Sequence, residues 1–594
     1  MTWLQNTNPL HNLPLSAITA AIPVAFIFWA LIIRKMAGYK ASVLTALIAL
    51  TLAIIVYRMP VRLALLSGFH GMLYGVFPIC WIIITALFLF NVIVRSGKFE
   101  VIKNCMASIT ADRRLQILLI AFSFGAFLEG TAGFATPVVI TAAMLFSLGF
   151  DPLYAAGICL IANTAPVAFG SIGIPIIVAS HVSGIGEMAI SQMVGRTLPL
   201  ISLLLPFYMV TLTAGWRKSI EVLPATLVSG VSFAFFQWFC SNYMGPLLPD
   251  IIAGIASIVC LLLLLRWWKP RSVWRFRGEA EAGLPEATVA YSRGQIARAL
   301  SPFIILTLLV IAWGIQPVKD ALNSIGEIRF NIPGLHNQIR TSGGGGLLAQ
   351  TFHFNYLSAS GTAIFLSALV SVPFMGVTYR EAMRIFLDTL RQLTYPIITI
   401  GAVMGFTYIS NNSGMSGTLA AALAGTGVLF PFFSPLLGWL GVFITGSDTS
   451  SNALFVQIQR ATATAIGVNP VVTVAANCSG GVVGKMISPS SIAVAAAAGG
   501  LAGSESRLFR FTVRHSFFLL VIISCLVVLQ AYVFKGIVPA DPASLSPTPA
   551  YIVQDWYDIN NSWSCSWDPA RGRWVDGNRC HRAPVCVAGK QQAP

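Results

Sequence analysis

Three ionisable residues stand alone in long apolar stretches, and each is of a type that holds or moves charge. Glu129, in "FGAFLEGTAGFATPVV", is the only Asp, Glu, Lys or Arg from Leu115 to Phe150. No other charge separates Arg391 from Asp448, in "TGSDTSSNA", and Lys485, in "GGVVGKMISP", is the only charge between Arg460 and Glu505. A carboxylate at bilayer depth costs roughly 2.5–3.5 kcal/mol on insertion scales, so a lone acid there is read as functional. Burial disfavours the charged form of a carboxyl group, which makes Glu129 and Asp448 the predicted carriers of a coupled proton. Lys485 is the natural cation for an organic anion, or else the partner of Asp448 or Glu129. Hydroxyls and amides nearby suit a carboxylate, a hydroxyl or an alkali cation. The predicted substrate-binding set is Asn163, Thr164, Thr445, Ser447, Thr449, Ser450, Asn452, Asn477 and Lys485.

Plainer readings compete with these. Glu129 pairs with an interior cation or backbone, and Asp448 caps an interior half-helix. His181 is of a type whose free side chain titrates near neutrality, but near a segment end a hydrogen-bonded structural role is the ordinary one. Arg196 and Arg460 are predicted close to helix ends, where long side chains snorkel. No catalytic residue, metal site or cofactor is predicted. The chain has no P-loop and no H-E-x-x-H, and no G-x-S-x-G elbow.

Glycines and prolines interrupt the apolar runs that carry these residues, and they recur in register. "FGAFLEGTAGF" aligns with "LGVFITGSDTSSN", matching Gly125 with Gly441, Phe127 with Phe443 and Gly130 with Gly446. "NTAPVAFGSIGIP" aligns with "NCSGGVVGKMISP", matching Asn163 with Asn477, Gly170 with Gly484 and Pro175 with Pro489. Small residues alone permit close helix packing, but that does not account for ionisable residues at matching places. Broken helices in paired repeats point to a secondary-transporter site at the bilayer midplane. Broken backbone is tolerated at that depth only when buried in protein or lining a cavity.

The rest of the chain reads as the elements that hold these repeats. It is 56% hydrophobic and 10% charged, against about 25% charged for a soluble domain, so its bulk is assigned to a bilayer. The net charge of +16 is expected in cytoplasmic loops and not as a nucleic-acid surface. Spanning segments are predicted at about 15–33, 41–57, 72–94, 198–214, 222–242, 250–267, 299–316, 356–377, 393–410 and 515–534. With the broken regions 116–182 and 432–502, the total is 12–14 membrane segments in an all-α polytopic fold. The basic loops agree on an outside N-terminus, with Arg58 and Arg62 voting against; the two repeats are then inverted. The predicted organisation is 1–94 N-terminal scaffold helices, 95–196 first repeat, and 197–410 central scaffold. The scaffold carries a cytoplasmic loop at about 268–298 and a flexible external loop at about 317–355. Residues 411–510 form the second repeat, 511–536 the last helix and 537–594 a polar, poorly ordered tail. Seven of ten cysteines lie singly in apolar segments, the other three (Cys565, Cys580, Cys586) in the tail, with no C-x-x-C spacing.

"FGAFLEGTAGF", "LYAAGICLIANTAPVAFGSIGIPI", "LGWLGVFITGSDTSSNALF" and "GKMISPSSIA" closely resemble the bacterial L-lactate permease family, which includes glycolate permease. The resemblance covers residues 10–536. It implies proton symport of small 2-hydroxymonocarboxylates (L-lactate, D-lactate, glycolate) across the inner membrane, with membrane lipid as surroundings. It also resembles a wider superfamily with re-entrant hairpins, whose members are often dimers, so a homodimer is the expectation by analogy. The family pattern E-G-A-A-G-F-G-A-P reads "EGTAGFATP" here, with Thr131, Ala135 and Thr136; losing the glycine at 135 bears on substrate preference. The alternatives are a sodium-coupled carrier of di- or tricarboxylates, an intramembrane enzyme using Ser, Asp and His181, and a channel.

Overall fold

The computed structural model describes residues 2–34, 36–133, 136–276, 291–342, 346–498, 505–540, 565–568 and 573–576. It separates into two compact units, Met1–Ser546 and Pro547–Pro594. In the second, Cys565–Asp568 pairs antiparallel with Arg573–Asp576. Cys580, Cys586 and most of the predicted tail lie outside the described residues, as does Ala135.

The first unit is helical. Eleven helices among the described residues are long and apolar enough to cross a membrane, or up to thirteen if two bent pairs are each one span. One bent pair is Pro152–Ala162 with Val167–Ser183, turning by 64°; the other is Tyr379–Gln392 with Thr394–Ser413, turning by 51°. The span predicted at 393–410 is the second arm of the latter. The span predicted at 356–377 is a 16-residue helix, Ser360–Met375.

Both repeats are built from helices that stop and restart. In the first, Gly125–Thr131 ends before Thr136–Ser147, and Pro152–Ala162 is followed, after a break, by Gly170–Ser183. In the second, Phe430–Thr445 gives way to Asp448–Ala465, and Pro470–Lys485 to Pro489–Ala498. The restarts have local causes. Asp151 caps the Pro152 helix by accepting from Leu153 and Tyr154 N–H, and Asn469 caps the Pro470 helix by accepting from Val471 N–H. Proline at the first helical position lacks only an N–H that the helix leaves unused. Within each repeat the two breaks meet. Gly133 (φ +59°) lies so close to Ser171 that a Cβ would sit 1.7 Å from its Oγ, and Gly446 (φ +72°) lies likewise against Ser490 at 2.1 Å. A left-handed backbone with no room for Cβ requires glycine.

The segment 317–355, expected as a flexible loop, holds regular structure. Gln316–Gly326 is a helix, Ile328–Asn331 pairs antiparallel with Thr351–Phe354, and Ile339–Arg340 runs parallel to Trp3–Leu4. Apolar side chains at alternate positions, with Phe352 buried, supply the strand signal that the glycine run obscured; Gly343 to Gly345 lie outside the described residues. Glu327 clamps this hairpin. Its carboxylate accepts from Arg329 at 2.7 Å and lies 3.0 Å from His353 Nδ1. The Arg329 hydrogen bond, aided by His353, holds its pKa down from the ordinary 4.5 to about 2. A lowered folded value stabilises above the unfolded value and is lost below it. Amide protection of both strands, corrected for intrinsic exchange, is therefore expected to hold above pH 4.5 and fall between pH 4.5 and 2. Unchanged protection across that window would remove the clamp.

Candidate functional site

The lone acid of the first repeat and the lone base of the second meet. Lys485 Nζ donates to Glu129 Oε1 at 2.6 Å, and both side chains are almost wholly enclosed. Gly170 makes room for the pair, because a Cβ there would stand 2.7 Å from Glu129 Oε1. Glu129 Oε2 has no hydrogen-bond partner among the described residues. The pairing alternative for Glu129 is therefore the observed one. It does not remove either residue from a ligand site, because both line a cavity.

That cavity measures about 760 Å³ and is walled by the breaks of both repeats. Gly170, Ser171, Ile174 and Pro175 come from the first; Thr445 to Ser450, Lys485, Ser490 and Ser491 come from the second. Tyr39 and Tyr395, their rings stacked 4.7 Å apart, also line it. The Asp448–Ala465 helix presents its N-terminus there. Ser447 caps it by accepting from Ser450 N–H at 3.2 Å, while Thr445 Oγ1 accepts from Ser447 N–H. Ser488 starts the Pro489 helix in the same way, accepting from Ser491 N–H at 3.2 Å. Two helix N-termini and one ammonium thus face a common space. Helix N-termini favour anions through free N–H groups and the macrodipole.

Asp448 sits at the first of these N-termini, 3% exposed. Neither of its carboxyl oxygens has a hydrogen-bond partner among the described residues. Gly481 permits this placement, since a Cβ there would lie 2.0 Å from Asp448 Oδ1. A buried carboxylate without hydrogen bonds is expensive as an anion.

Of the predicted set, Thr445, Ser447, Thr449, Ser450, Lys485, Glu129 and Asp448 line the cavity. Asn452 and Asn477 lie behind it, in a buried chain. Gln459 Nε2 donates to Asn477 Oδ1 at 2.9 Å, Asn477 Nδ2 to Asn452 Oδ1 at 2.7 Å, and Asn452 Nδ2 to the Pro175 carbonyl at 2.9 Å. These amides tie the second repeat to the break of the first. Asn163 and Thr164 are buried and outside the cavity wall, with Asn163 Nδ2 and Oδ1 and Thr164 Oγ1 lacking partners among the described residues. His181 is exposed, its ring 5.7 Å from that of Tyr74. Arg196 donates to Asn242 Oδ1 at 2.8 Å and to the Ile537 carbonyl. Neither they nor Arg460 line the cavity.

Sequence reasoning missed Ser171, Ser490, Ser491, Tyr39 and Tyr395 in the wall. The run Ser488-Pro489-Ser490-Ser491 carried a usable signal: serine before proline is the start of a helix. It also missed Asp250, which is 1% exposed. Asp250 is the only charge between Glu221 and Arg266, the same criterion that singled out Glu129.

A family model described as L-lactate permease matches residues 16–534. The L-lactate permease of Bacillus subtilis is 50% identical over 91% of this chain and 100% of its own length. The glycolate permease GlcA of Escherichia coli K12 is 49% identical over 90% of this chain and 99% of its own. The L-lactate permease of the same strain is 48% identical over 90% and 100%. Among solved structures, the YdaH transporter of Alcanivorax borkumensis matches with TM-score 0.40 at 15% identity, covering 76% of this chain and 84% of that one. MtrF of Neisseria gonorrhoeae matches with TM-score 0.42 at 16% identity, covering 78% and 82%.

Proposed function

We propose, from the premise that this chain belongs to the L-lactate permease family, that it imports small 2-hydroxymonocarboxylates with protons across the bacterial inner membrane. L-lactate, D-lactate and glycolate are the substrates this reading names. Membership makes the chain a multi-pass membrane transporter and not an enzyme. The observation that carries the coupling is the Glu129–Lys485 pair in the cavity wall.

With no substrate bound, the ammonium of Lys485 is neutralised by Glu129. An entering monocarboxylate competes for that ammonium. If it arrives alone, two carboxylates share one cation in a low-dielectric site, which is costly. If a proton arrives with it, neutral Glu129 releases Lys485 and the substrate takes its place. The buried charge is then the same empty and loaded, one proton entering per substrate. Asp448 keeps this count at one if it stays neutral in both states. It occupies a helix N-terminus that suits the substrate's carboxylate, and only its protonated form leaves that terminus free of a competing anion. Thr445, Ser447, Thr449 and Ser450 supply hydroxyls for the substrate's carboxylate and 2-hydroxyl. Asn452 and Asn477 hold the break at Pro175 in place behind them. The two repeats, taken as inverted, exchange the cavity between the two faces, and a homodimer provides the frame.

The alternative is a sodium-coupled carrier of di- or tricarboxylates. Lys485 is the only Lys or Arg among the described residues of the wall, which suits one negative charge better than two or three. Proteoliposomes separate the readings. Labelled L-lactate is expected to accumulate when an inward proton gradient is imposed and to ignore sodium. Uptake driven by sodium and indifferent to pH would overturn proton coupling. Glycolate is expected to compete with the label and citrate is not.

A further inference from the structure

Asp250 is a third buried acid beside this site, on the Pro249–Trp267 helix. Two glycines bring that helix against the one that carries Glu129. A Cβ on Gly130 would sit 2.9 Å from Asp250 Cβ, and a Cβ on Gly254 would sit 2.8 Å from Phe127 N. The residue after Glu129 thus touches Asp250. Asp250 does not line the cavity; it packs against Gly130, one residue on from Glu129. Its Oδ2 has no hydrogen-bond partner among the described residues, nor has Glu129 Oε2. Its Oδ1 receives only a long contact, 3.5 Å from Gln237 Nε2. The titratable groups that act on it electrostatically are Glu129, Lys485 and Cys240.

Beyond Asp250 the polar groups continue away from the cavity. Gln237 accepts from Ser202 Oγ at 2.8 Å and donates to the Ala165 carbonyl at 3.0 Å. Five residues along the same helix, about 7.5 Å at helical rise, Asn242 accepts from Arg196 at its Oδ1 and from Gln192 at its carbonyl. Gln192, Arg196 and Asn242 line a second cavity, of about 590 Å³.

We propose that Asp250 is a second seat for the coupled proton, so that the proton passes between Glu129 and Asp250 on the side away from the substrate. The step runs through one water: the O–H bond at Glu129 Oε2 breaks as the water oxygen takes that proton, and one of the water's own O–H bonds breaks as an O–H forms at Asp250 Oδ2. The water is regenerated, and the reverse relay reloads Glu129. A merely structural role is the competing account, because an acid in the first turn of a helix favours its dipole. This proposal rests on the proton-symport reading above.

The test uses full-length protein in proteoliposomes, wild type beside Asp250→Asn and Asp250→Glu. Labelled lactate uptake under a proton gradient is compared with lactate–lactate counterflow at equal pH. Counterflow moves the loaded carrier without requiring proton release. Asp250→Asn is expected to lose at least tenfold in gradient-driven uptake and in lactate-evoked proton flux, while counterflow stays within about threefold. Asp250→Glu is expected to retain coupling with its pH profile displaced. Wild-type coupling in Asp250→Asn would overturn the proton seat and leave symport standing, as would equal loss of uptake and counterflow in a folded Asn variant. If the Asn variant does not fold, an unmoved pH profile in Asp250→Glu overturns it. Wild-type uptake that follows sodium and not protons overturns both readings.

Discussion

Lys485→Met is expected to destabilise the protein by roughly 3–5 kcal/mol, the cost of leaving a buried partner charge uncompensated, and to lower lactate uptake at least a hundredfold. The reason is the enclosure of the pair: Glu129 is 2% exposed and accepts from Lys485 at 2.6 Å. Thermal unfolding in detergent reads the first effect and proteoliposome uptake the second. The double variant Glu129→Gln/Lys485→Met separates stability from transport. Removing both charges leaves no buried ion alone, and replacing a buried pair by uncharged groups is often close to neutral. The double variant should therefore recover most of the stability and remain inactive, since the wall keeps no cation to balance the substrate's carboxylate. A Lys485→Met protein as stable as wild type would mean that Glu129 escapes the charge penalty, by taking up a proton or by reaching water. Transport restored in the double variant would make the pair a structural bolt and move the substrate's cation elsewhere.

The charges that matter most were legible because they are expensive. A lone Glu, Asp or Lys in an apolar run stands out against its surroundings, and Glu129, Asp448 and Lys485 all reach one cavity. The breaks were legible for a similar reason, since Gly, Pro and Asn interrupt helices by known backbone preferences. The hydroxyls were less so. Serine and threonine cost little to place anywhere, and most bond a carbonyl one turn back, as Thr141 and Ser183 do. Their presence near Asp448 gave no ranking between a wall residue such as Ser450 and a packed one such as Ser451, whose Oγ donates to the Gly438 carbonyl. Asn452 and Asn477 were expected at the substrate and stand in the Gln459–Pro175 chain instead. An amide satisfies a ligand and a neighbouring carbonyl equally well, so sequence spacing does not separate the two. Asp250 escaped because it opens a span, where an acid is ordinary; only the close approach at Gly130 shows which helix it faces.

That close approach has a counterpart with a larger expected effect on stability. The Phe430–Thr445 and Pro470–Lys485 helices touch through their backbones. A Cβ on Gly438 would lie 2.0 Å from the Asn477 carbonyl oxygen, one on Gly480 2.0 Å from that of Pro435, and one on Gly484 2.4 Å from that of Trp439. No rotamer relieves a clash with a main-chain oxygen, so Gly480→Ala must part the helices. Overpacking of this kind costs about 1–3 kcal/mol, occasionally more. The added propensity of alanine, up to about 1 kcal/mol, offsets little of it. Gly401 serves as the control, because a Cβ there meets nothing within 4 Å; Gly401→Ala should be neutral or slightly stabilising. The functional loss should exceed the loss in stability. Lys485 ends the second of these helices and Asn477 lies in its middle, so parting them shifts the ammonium against Glu129 and loosens the amide chain to Pro175. A displacement of about 1 Å at a reacting geometry is worth roughly a hundredfold. Gly480→Ala is therefore expected to unfold at a lower temperature and, below that temperature, to transport lactate far more slowly than its folded fraction allows. Equal melting temperatures for the Gly480 and Gly401 variants would mean that the two helices do not touch, and the placement of Lys485 would then need another cause.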